Sequence, residues 1–334
     1  MLTLQAHVDL TAANTLRLPC YAERFMAPQT LCDLQAILRR AAVCQWPVTL
    51  LGGGSNVLLP PQLSGIVIRP SLHQWWLESQ GDDVVAYVGA GVNWHSLVMA
   101  LAARGVWGTE NLALIPGHCG AAPVQNIGAY GVELKDVLLG VQVVEIASGN
   151  MRWMSAAECQ FGYRDSLFKH ALANRVVITQ LALRLSRQSN PKLHYGDLSS
   201  RVPSQPTPLA IAEAVCAVRR AKLPDPAVLA NAGSFFKNPL VSQAHAERLL
   251  HQYPAMPHFS QPDGKIKLAA GWLIDQCGLK GWREGSFGVH AQQALVLVHF
   301  GGGDRAGLLQ FAERVVSAVN THFGVELEPE PRVL

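Results

Sequence analysis

Residues 111–134, NLALIPGHCGAAPVQNIGAYGVEL, restrict the folding of this chain more than any other stretch. Glycine and proline recur too often for a helical or a strand period to run through them. Helix and strand signals flank the stretch on both sides, so it reads as a long loop inside a compact region, and loops of that kind are usually functional. Its small side chains leave many main-chain N–H groups open to a ligand.

A second glycine cluster lies upstream in LGGGSNVLL, residues 51–59, and is entered from the apolar VTLL. Such a turn can cradle a phosphate on backbone N–H groups. It does not carry the Rossmann fingerprint. A third glycine is missing, the Pro-Pro that follows cannot open a helix, and the first acid after the loop is Glu78.

Apolar spacing predicts helices at 31–43, at 93–105 with Gly105 as the C-terminal cap, at 210–222, and near 240–252, 268–277 and 304–323. Strand signals fall at 48–51, 65–70, 74–79, 83–89, 141–149 and 175–186. The polar, proline-rich stretch 187–209 marks a boundary, and no internal repeat is visible. With 334 residues, 49% apolar and 15% charged, the chain can fill two or three packed domains.

The net charge is +3 and no basic run is long enough for a nucleic-acid groove, so placed cations facing an anionic small molecule are expected. Seven cysteines form no C-x-x-C pair and leave one odd, which argues against a disulfide framework or a metal site and for buried thiols in a reducing compartment. The N-terminal segment lacks a basic region followed by an apolar core, and no apolar run reaches membrane-spanning length. A soluble, cytoplasmic protein with no nucleic-acid or membrane partner is expected.

NAGSFFKNP, residues 231–239, places one serine among glycine and two phenylalanines. The G-x-S-x-G elbow of a hydrolase nucleophile is absent. Ser234 could instead cap the helix that follows, with Pro239 in its first turn. Local sequence favours the cap.

The two small-residue loops resemble the vanillyl-alcohol-oxidase type of FAD-binding domain. Seven motifs then make the likeness specific: LGGGSNVLL, IPG, PVQNIGAYGVEL, FGYRDSLFK, KLPDP, NAGSFFKNP and EPEPR. In order and approximate spacing they resemble the UDP-N-acetylenolpyruvoylglucosamine reductases of bacterial cell-wall synthesis (the MurB family) from about Asn14 to Arg332. HYGDL at 194–198 is similar to the insert of the type I branch.

The resemblance implies an α+β fold. Its parts are an FAD-binding domain over 1–208 (two α/β subdomains, about 1–70 and 71–208, the second with the Tyr195 insert), an α/β substrate-binding domain over 209–325, and a tail over 326–334 returning to the active site. It implies a monomer with non-covalent FAD and with NADPH as co-substrate, reducing the enolpyruvyl ether of a UDP-sugar to a lactyl ether. FAD would lie along Gly52, Gly53, Gly54, Ser55 and Asn56 and along Ile115, Pro116, Gly117, Gln125, Ile127, Gly128, Tyr130 and Gly131. The family's carboxylate-binding arginine falls on Arg164, its second electrophilic partner on Glu330 and its proton donor on Ser234. Lys222, Asn238, Tyr195, Lys280 and Arg332 fall on substrate-binding positions. A glutamate can aid a developing enolate only if it is protonated or orients another donor, so a dry surrounding is expected for Glu330.

This sequence departs from the family pattern at His118 and Cys119, where small or apolar residues are usual, and at Pro331, which removes a backbone donor beside Glu330. Two other readings stay open at this level: another FAD oxidoreductase of the same superfamily, some of which bind flavin covalently through His or Cys, and a UDP-sugar-binding protein without turnover.

Overall fold

The computed structural model describes residues 4–334, which divide into two units, each assembled from separate stretches of chain. The first holds the described residues up to Val8, then Tyr21–Gly54 and Gln62–Ala221. The second holds Asp9–Cys20, Ser55–Pro61 and Lys222–Leu334.

In the first unit, strand Tyr21–Met26 leads through helix α1 (Leu31–Val43) to strand Val48–Leu50. The Thr30 hydroxyl accepts the Asp33 N–H at 3.1 Å, satisfying one of the donors left over at the helix start. Leu34, Ile37, Leu38 and Ala41 share one face at helical spacing and pack against Met26, Ile66 and Ile68. Strand Ile66–Ile68 runs parallel to both neighbours, with Val67 opposite Phe25 and Thr49. The Leu51 N–H donates to the Ile68 carbonyl at 3.0 Å. Residues 52–54 and Arg69 therefore leave the sheet at the same edge, beyond the carboxyl ends of parallel strands, where open sheets of this kind hold ligands.

The rest of this unit is built on a five-stranded antiparallel sheet. Its spatial order is Met151–Ser155, Leu138–Glu145, Val176–Ser186, Asp83–Gly89, Trp75–Gln80. Alternation in DVVAYVG turns Val84, Ala86 and Val88 to one face, where they join Trp94, Leu97, Val98 and Leu101 of α2 (Trp94–Ala102). Helix α2 ends at Ala102 with Ala103 as its cap, earlier than expected, and Gly105 takes its positive φ of 68° in the turn beyond. Helix α3 (Pro208–Lys222) adds Ile211, Ala212, Val215 and Cys216 to the same core. The boundary expected near 208 thus falls at the start of a helix whose apolar face needs this sheet, and the units part at 221/222.

The second unit has a four-stranded sheet in the order Ala230–Ser234, Val296–His299, Phe287–Val289, Arg283–Glu284. A small sheet of Leu240–Val241, Ile266–Leu268 and His258–Ser260 accompanies it, with helices α4 (Gln243–Gln252), α5 (Ala270–Gln276) and α6 (Arg305–Phe323). Leu16, Leu18 and Leu58 share its core with Phe235, Phe236, Leu273, Phe311 and Val315. The tail strand Arg332–Val333 pairs in parallel with Val57–Leu58.

All seven thiols are free; Cys20, Cys119, Cys159 and Cys216 are buried, whereas Cys32 and Cys44 are exposed. Among the described residues no helix is long and apolar enough to cross a membrane. The first three residues of the N-terminal segment lie outside the described residues.

Asn14 organises the early stretch of the second unit. It is buried, its amide donates to the carbonyls of Leu10, Thr11 and Leu18 at 3.1, 3.2 and 3.0 Å, and its Oδ1 accepts the Leu18 N–H at 3.0 Å. Asn14→Ala strands the Leu18 N–H away from water and should lower stability by about 1–3 kcal/mol in urea unfolding. An unchanged midpoint would show that Leu18 finds another partner.

Candidate active site

The two glycine-rich loops meet within the first unit. A Cβ on Gly53 would lie 2.8 Å from Gly117 Cα, and one on Gly52 would lie 3.3 Å from the Ala121 Cβ. Backbone rests on backbone there, which only glycine permits. The second loop is held from below: the Trp94 N–H donates to Gly117 O at 3.0 Å, Cys119 N–H to Val92 O at 2.8 Å and Gly120 N–H to Ala90 O at 2.9 Å. The Leu114 N–H donates to His95 Nδ1 at 3.0 Å, so the proton of that ring sits on Nε2.

Two buried groups beside the glycine contact have no hydrogen-bond partner among the described residues, Arg69 Nε and His118 Nδ1. Burial lowers the pKa of both side chains, and the Arg69 charge lowers His118 further. A backbone cradle that a Cβ would fill, with unspent side-chain donors next to it, fits the phosphate part of a dinucleotide such as FAD. Burial pushes the Cys119 thiol up, away from the reactive thiolate.

Further along the loop, residues Cys119–Gln125 form a 3-10 turn, and Gly128–Ala129 pairs with Val132–Glu133 in a minimal hairpin. Its two turn residues, Tyr130 and Gly131, have φ of 50° and 79°. Buried Asn126, with φ 44°, pins this region. Its amide donates to Glu133 Oε2 at 2.9 Å and Gly162 O at 3.0 Å, and its Oδ1 accepts the Lys135 N–H at 3.0 Å. Ile127 is buried; Ile115, Gln125 and Gly128 are partly buried; Pro116 is exposed. Ser55 and Asn56 belong to the second unit, whereas the other expected flavin positions belong to the first.

Arg164 sits in the tight turn 162–165 with φ 53°, and its Nη2 donates to the Gly128 carbonyl at 3.0 Å. Asp165 accepts from His170 Nε2 at 2.8 Å. The exposed Tyr195 ring meets Tyr130 edge to face at 5.6 Å. One neighbour escaped the sequence reading. Arg219 of α3 has its Nε buried with no partner among the described residues, and burial lowers its pKa while Tyr130 and Arg164 act on it electrostatically. Its signal was helical spacing, since Arg219 stands three and four residues beyond buried Cys216 and Val215. Arg219 thus adds a second guanidinium to the surroundings of Arg164 and Tyr130.

In the second unit, strand Ala230–Ser234 carries a bulge. Asn231 pairs with Val298 and Ser234 with Val296, and the two intervening residues bow out around Gly233 at φ 71°. The Asn231 Oδ1 accepts the Gly233 N–H at 2.8 Å, while its amide donates to Pro224 O and Leu229 O. Phe235 and Phe236 are buried at 0% and 1% exposure, so the half-buried Ser234 is presented by an anchored chain. Ser234 does not cap the helix. Leu240–Val241 pairs with Ile266 and Lys267, which delays α4 to Gln243 and gives the cap to Ser242.

Glu330 lies beside this segment. Its N–H donates to Phe235 O at 2.8 Å, the Lys237 N–H donates to Glu328 O at 2.9 Å, and the Asn56 side chain reaches Glu330 O at 3.4 Å. Pro331 costs this arrangement nothing, because the next donor used is the Arg332 N–H, on Asn56 O at 3.0 Å. Glu330 is half-buried, and burial lowers the pKa of Arg332. Asn238 spends its Oδ1 on the Ala270 N–H at 3.0 Å. Lys222 is exposed, and Lys280 pairs with Asp275 at 3.1 Å on the surface.

Comparison with known proteins agrees with these features. A family model described as UDP-N-acetylenolpyruvoylglucosamine reductase, C-terminal domain, matches residues 225–334, and an FAD binding domain model matches residues 22–155. The UDP-N-acetylenolpyruvoylglucosamine reductase of Chromobacterium violaceum is 48% identical over 339 residues, covering 100% of this chain and 99% of that protein. Its counterpart from Pseudomonas aeruginosa is 45% identical over 337 residues, covering 99% of each. The crystal structure of UDP-N-acetylenolpyruvylglucosamine reductase (MurB) from Thermus caldophilus superposes with a TM-score of 0.71 at 24% identity, over 100% of this chain and 99% of that one. The expected α+β class, with an FAD-binding domain followed by a C-terminal domain, is borne out.

His95 gives the second loop a pH dependence. Burial, with Arg220 and Arg219 nearby, lowers its folded pKa, so the unfolded chain binds the proton more readily. Stability must then fall as pH drops through about 6.5, the value in the unfolded chain. His118 and His290 are shifted the same way and add to the loss. The urea midpoint should decrease from pH 7.5 to 5.5, and His95→Asn, which keeps an acceptor for Leu114 but cannot titrate, should decrease less. Equal decreases would remove His95 as a cause.

Proposed function

This chain belongs to the family of UDP-N-acetylenolpyruvoylglucosamine reductases, FAD-dependent oxidoreductases of peptidoglycan precursor synthesis, and we propose that it reduces UDP-N-acetylglucosamine enolpyruvate to UDP-N-acetylmuramate with NADPH as the electron source and Ser234 as the proton donor. The observation that carries this reading is the placing of Ser234 on a bulge anchored by Phe235, whose carbonyl holds the Glu330 N–H. A hydroxyl on an anchored bulge, with the backbone of an acidic residue tied to the next position, suits protonation of a carbanion, with no elbow for attack on a carbonyl.

Bound FAD would supply hydride to the terminal carbon of the enol ether. Arg164 then offers its guanidinium fork to the substrate carboxylate, onto which negative charge spreads. Ser234 delivers the proton to the neighbouring carbon. Glu330 assists as an acid or by orienting a second donor, a role its half-buried position supports. Lys222, Lys280 and Arg332 supply charge, and Tyr195 packing, to the UDP end. Asn238, its oxygen committed to Ala270, retains its amide N–H groups for a phosphate. Residues 52–56 and the loop from Ile115 to Gly131 would hold the flavin without a covalent bond. The same reading has the enzyme working as a monomer in the cytoplasm.

Ser234→Ala should leave flavin reduction by NADPH nearly unchanged and slow reoxidation by the enolpyruvyl substrate by a factor on the order of 100 or more, with Ser234→Cys retaining more activity. Rapid mixing that follows flavin absorbance reads both halves; equal, small effects would remove Ser234 from the chemistry.

Arg164 and Lys222 should separate in the same assay. Arg164→Ala chiefly slows reoxidation at saturating substrate, since its partner charge grows in the transition state, whereas Lys222→Ala chiefly weakens substrate binding. A pure loss of affinity in both variants would overturn this division.

A further inference from the structure

We propose that Arg69 and His118 form a side-chain clamp on the diphosphate of FAD, supplementing the backbone of the Gly53 turn with one charged and one neutral donor. The proposal rests on the reading of this unit as a flavin site and adds to it two side chains that the glycine motifs do not contain.

The placement follows from the sheet. Arg69 follows strand Ile66–Ile68, whose end pairs with the end of Val48–Leu50 that feeds the glycine turn, and Leu51 N–H to Ile68 O at 3.0 Å locks the two together. The Arg69 N–H donates to Met26 O at 2.9 Å, which fixes the base of its side chain. His118 arrives from the other side. It follows Gly117, the residue on which Gly53 rests, and it bridges to Asn93 in the backbone.

Both side chains present an unspent nitrogen that water does not reach, Arg69 Nε and His118 Nδ1. The charged and titratable groups acting on His118 are Arg69 and His73, and both disfavour its protonation. None of the ion pairs among the described residues uses Arg69. Arg69 is half-buried, with its guanidinium 5.5 Å from the centre of the Phe25 ring, and its idle Nε and the idle His118 Nδ1 are satisfied by an anion with several acceptor oxygens. The glycine turn alongside has the same preference, since such turns offer backbone N–H groups to an anion. A diphosphate is the part of FAD that matches both; riboflavin has none.

The test uses the full-length chain, stripped of flavin and reloaded, with FAD and riboflavin affinities read from flavin fluorescence. The wild-type protein should bind FAD more tightly than riboflavin. Arg69→Gln and His118→Ala should each weaken FAD about tenfold or more while moving riboflavin less than twofold, and His118→Asn, which keeps a donor near the Nδ1 position, should retain more FAD affinity than alanine. Raising salt should weaken FAD less in Arg69→Gln than in the wild type. Parallel losses of both flavins, or an unchanged FAD-to-riboflavin ratio, would overturn the clamp and leave the flavin site standing. A wild-type chain that bound neither flavin would overturn the site itself, so the two failures are distinct.

Discussion

Backbone meets backbone where Gly53 presses on Gly117, and the organisation of the first unit follows from that contact. A side chain at Gly53 would put a Cβ 2.8 Å from Gly117 Cα, closer than real Cβ contacts come. Two loops about sixty residues apart in sequence can share one surface only if both give up side chains there. The parallel strands bring the first loop, and ties from Trp94, Cys119 and Gly120 fasten the second. A seam without side chains lets a ligand approach main-chain N–H groups, the chemistry a phosphate needs.

The second unit reaches its geometry by a different route. Phe235 and Phe236 are fully buried, and each such side chain contributes about 1.5–3 kcal/mol by leaving water. That burial fixes the chain immediately after Ser234. The same two residues receive the tail: Glu330 N–H is on Phe235 O, and Phe236 bridges to Pro329. Asn231 sets the bulge from the other end, with one carboxamide serving three backbone groups. The Ser234 backbone is thus placed by a buried core on one side and by the Asn231 carboxamide on the other.

Unsatisfied cations mark both candidate subsites of the first unit. Arg69 and Arg219 each keep a buried Nε without a partner among the described residues. A buried N–H left without an acceptor is costly, and a ligand that accepts from it removes that cost. The two arginines stand in different places, one at the carboxyl edge of the parallel sheet and one on α3 near Arg164 and Tyr130.

Local periodicity decided much of this protein in advance. DVVAYVG is a strand over the same residues, Asp83–Gly89, because its β-branched and aromatic residues suit one, and α1 matches its expected span of 31–43. Glycine spacing singled out the two small-residue loops, while Arg164, Ser234 and Glu330 were singled out only through the family resemblance, since nothing in their local sequence marks them. Other features were not visible. Ser234 looked like a cap because Pro239 suits a first turn, yet pairing of Leu240–Val241 with Ile266 and Lys267 moved the helix to Gln243. Pro331 looked disruptive, but the donors in use are those of Glu330 and Arg332 on either side. Arg219 stayed hidden because its burial depends on a sheet far away in sequence. Sequence by itself determined which segments could be helix, strand or loop, because those preferences are local. Only the tertiary structure decided which polar groups are desolvated and which unit owns each segment, including 9–20 and 55–61, because burial is set by distant neighbours.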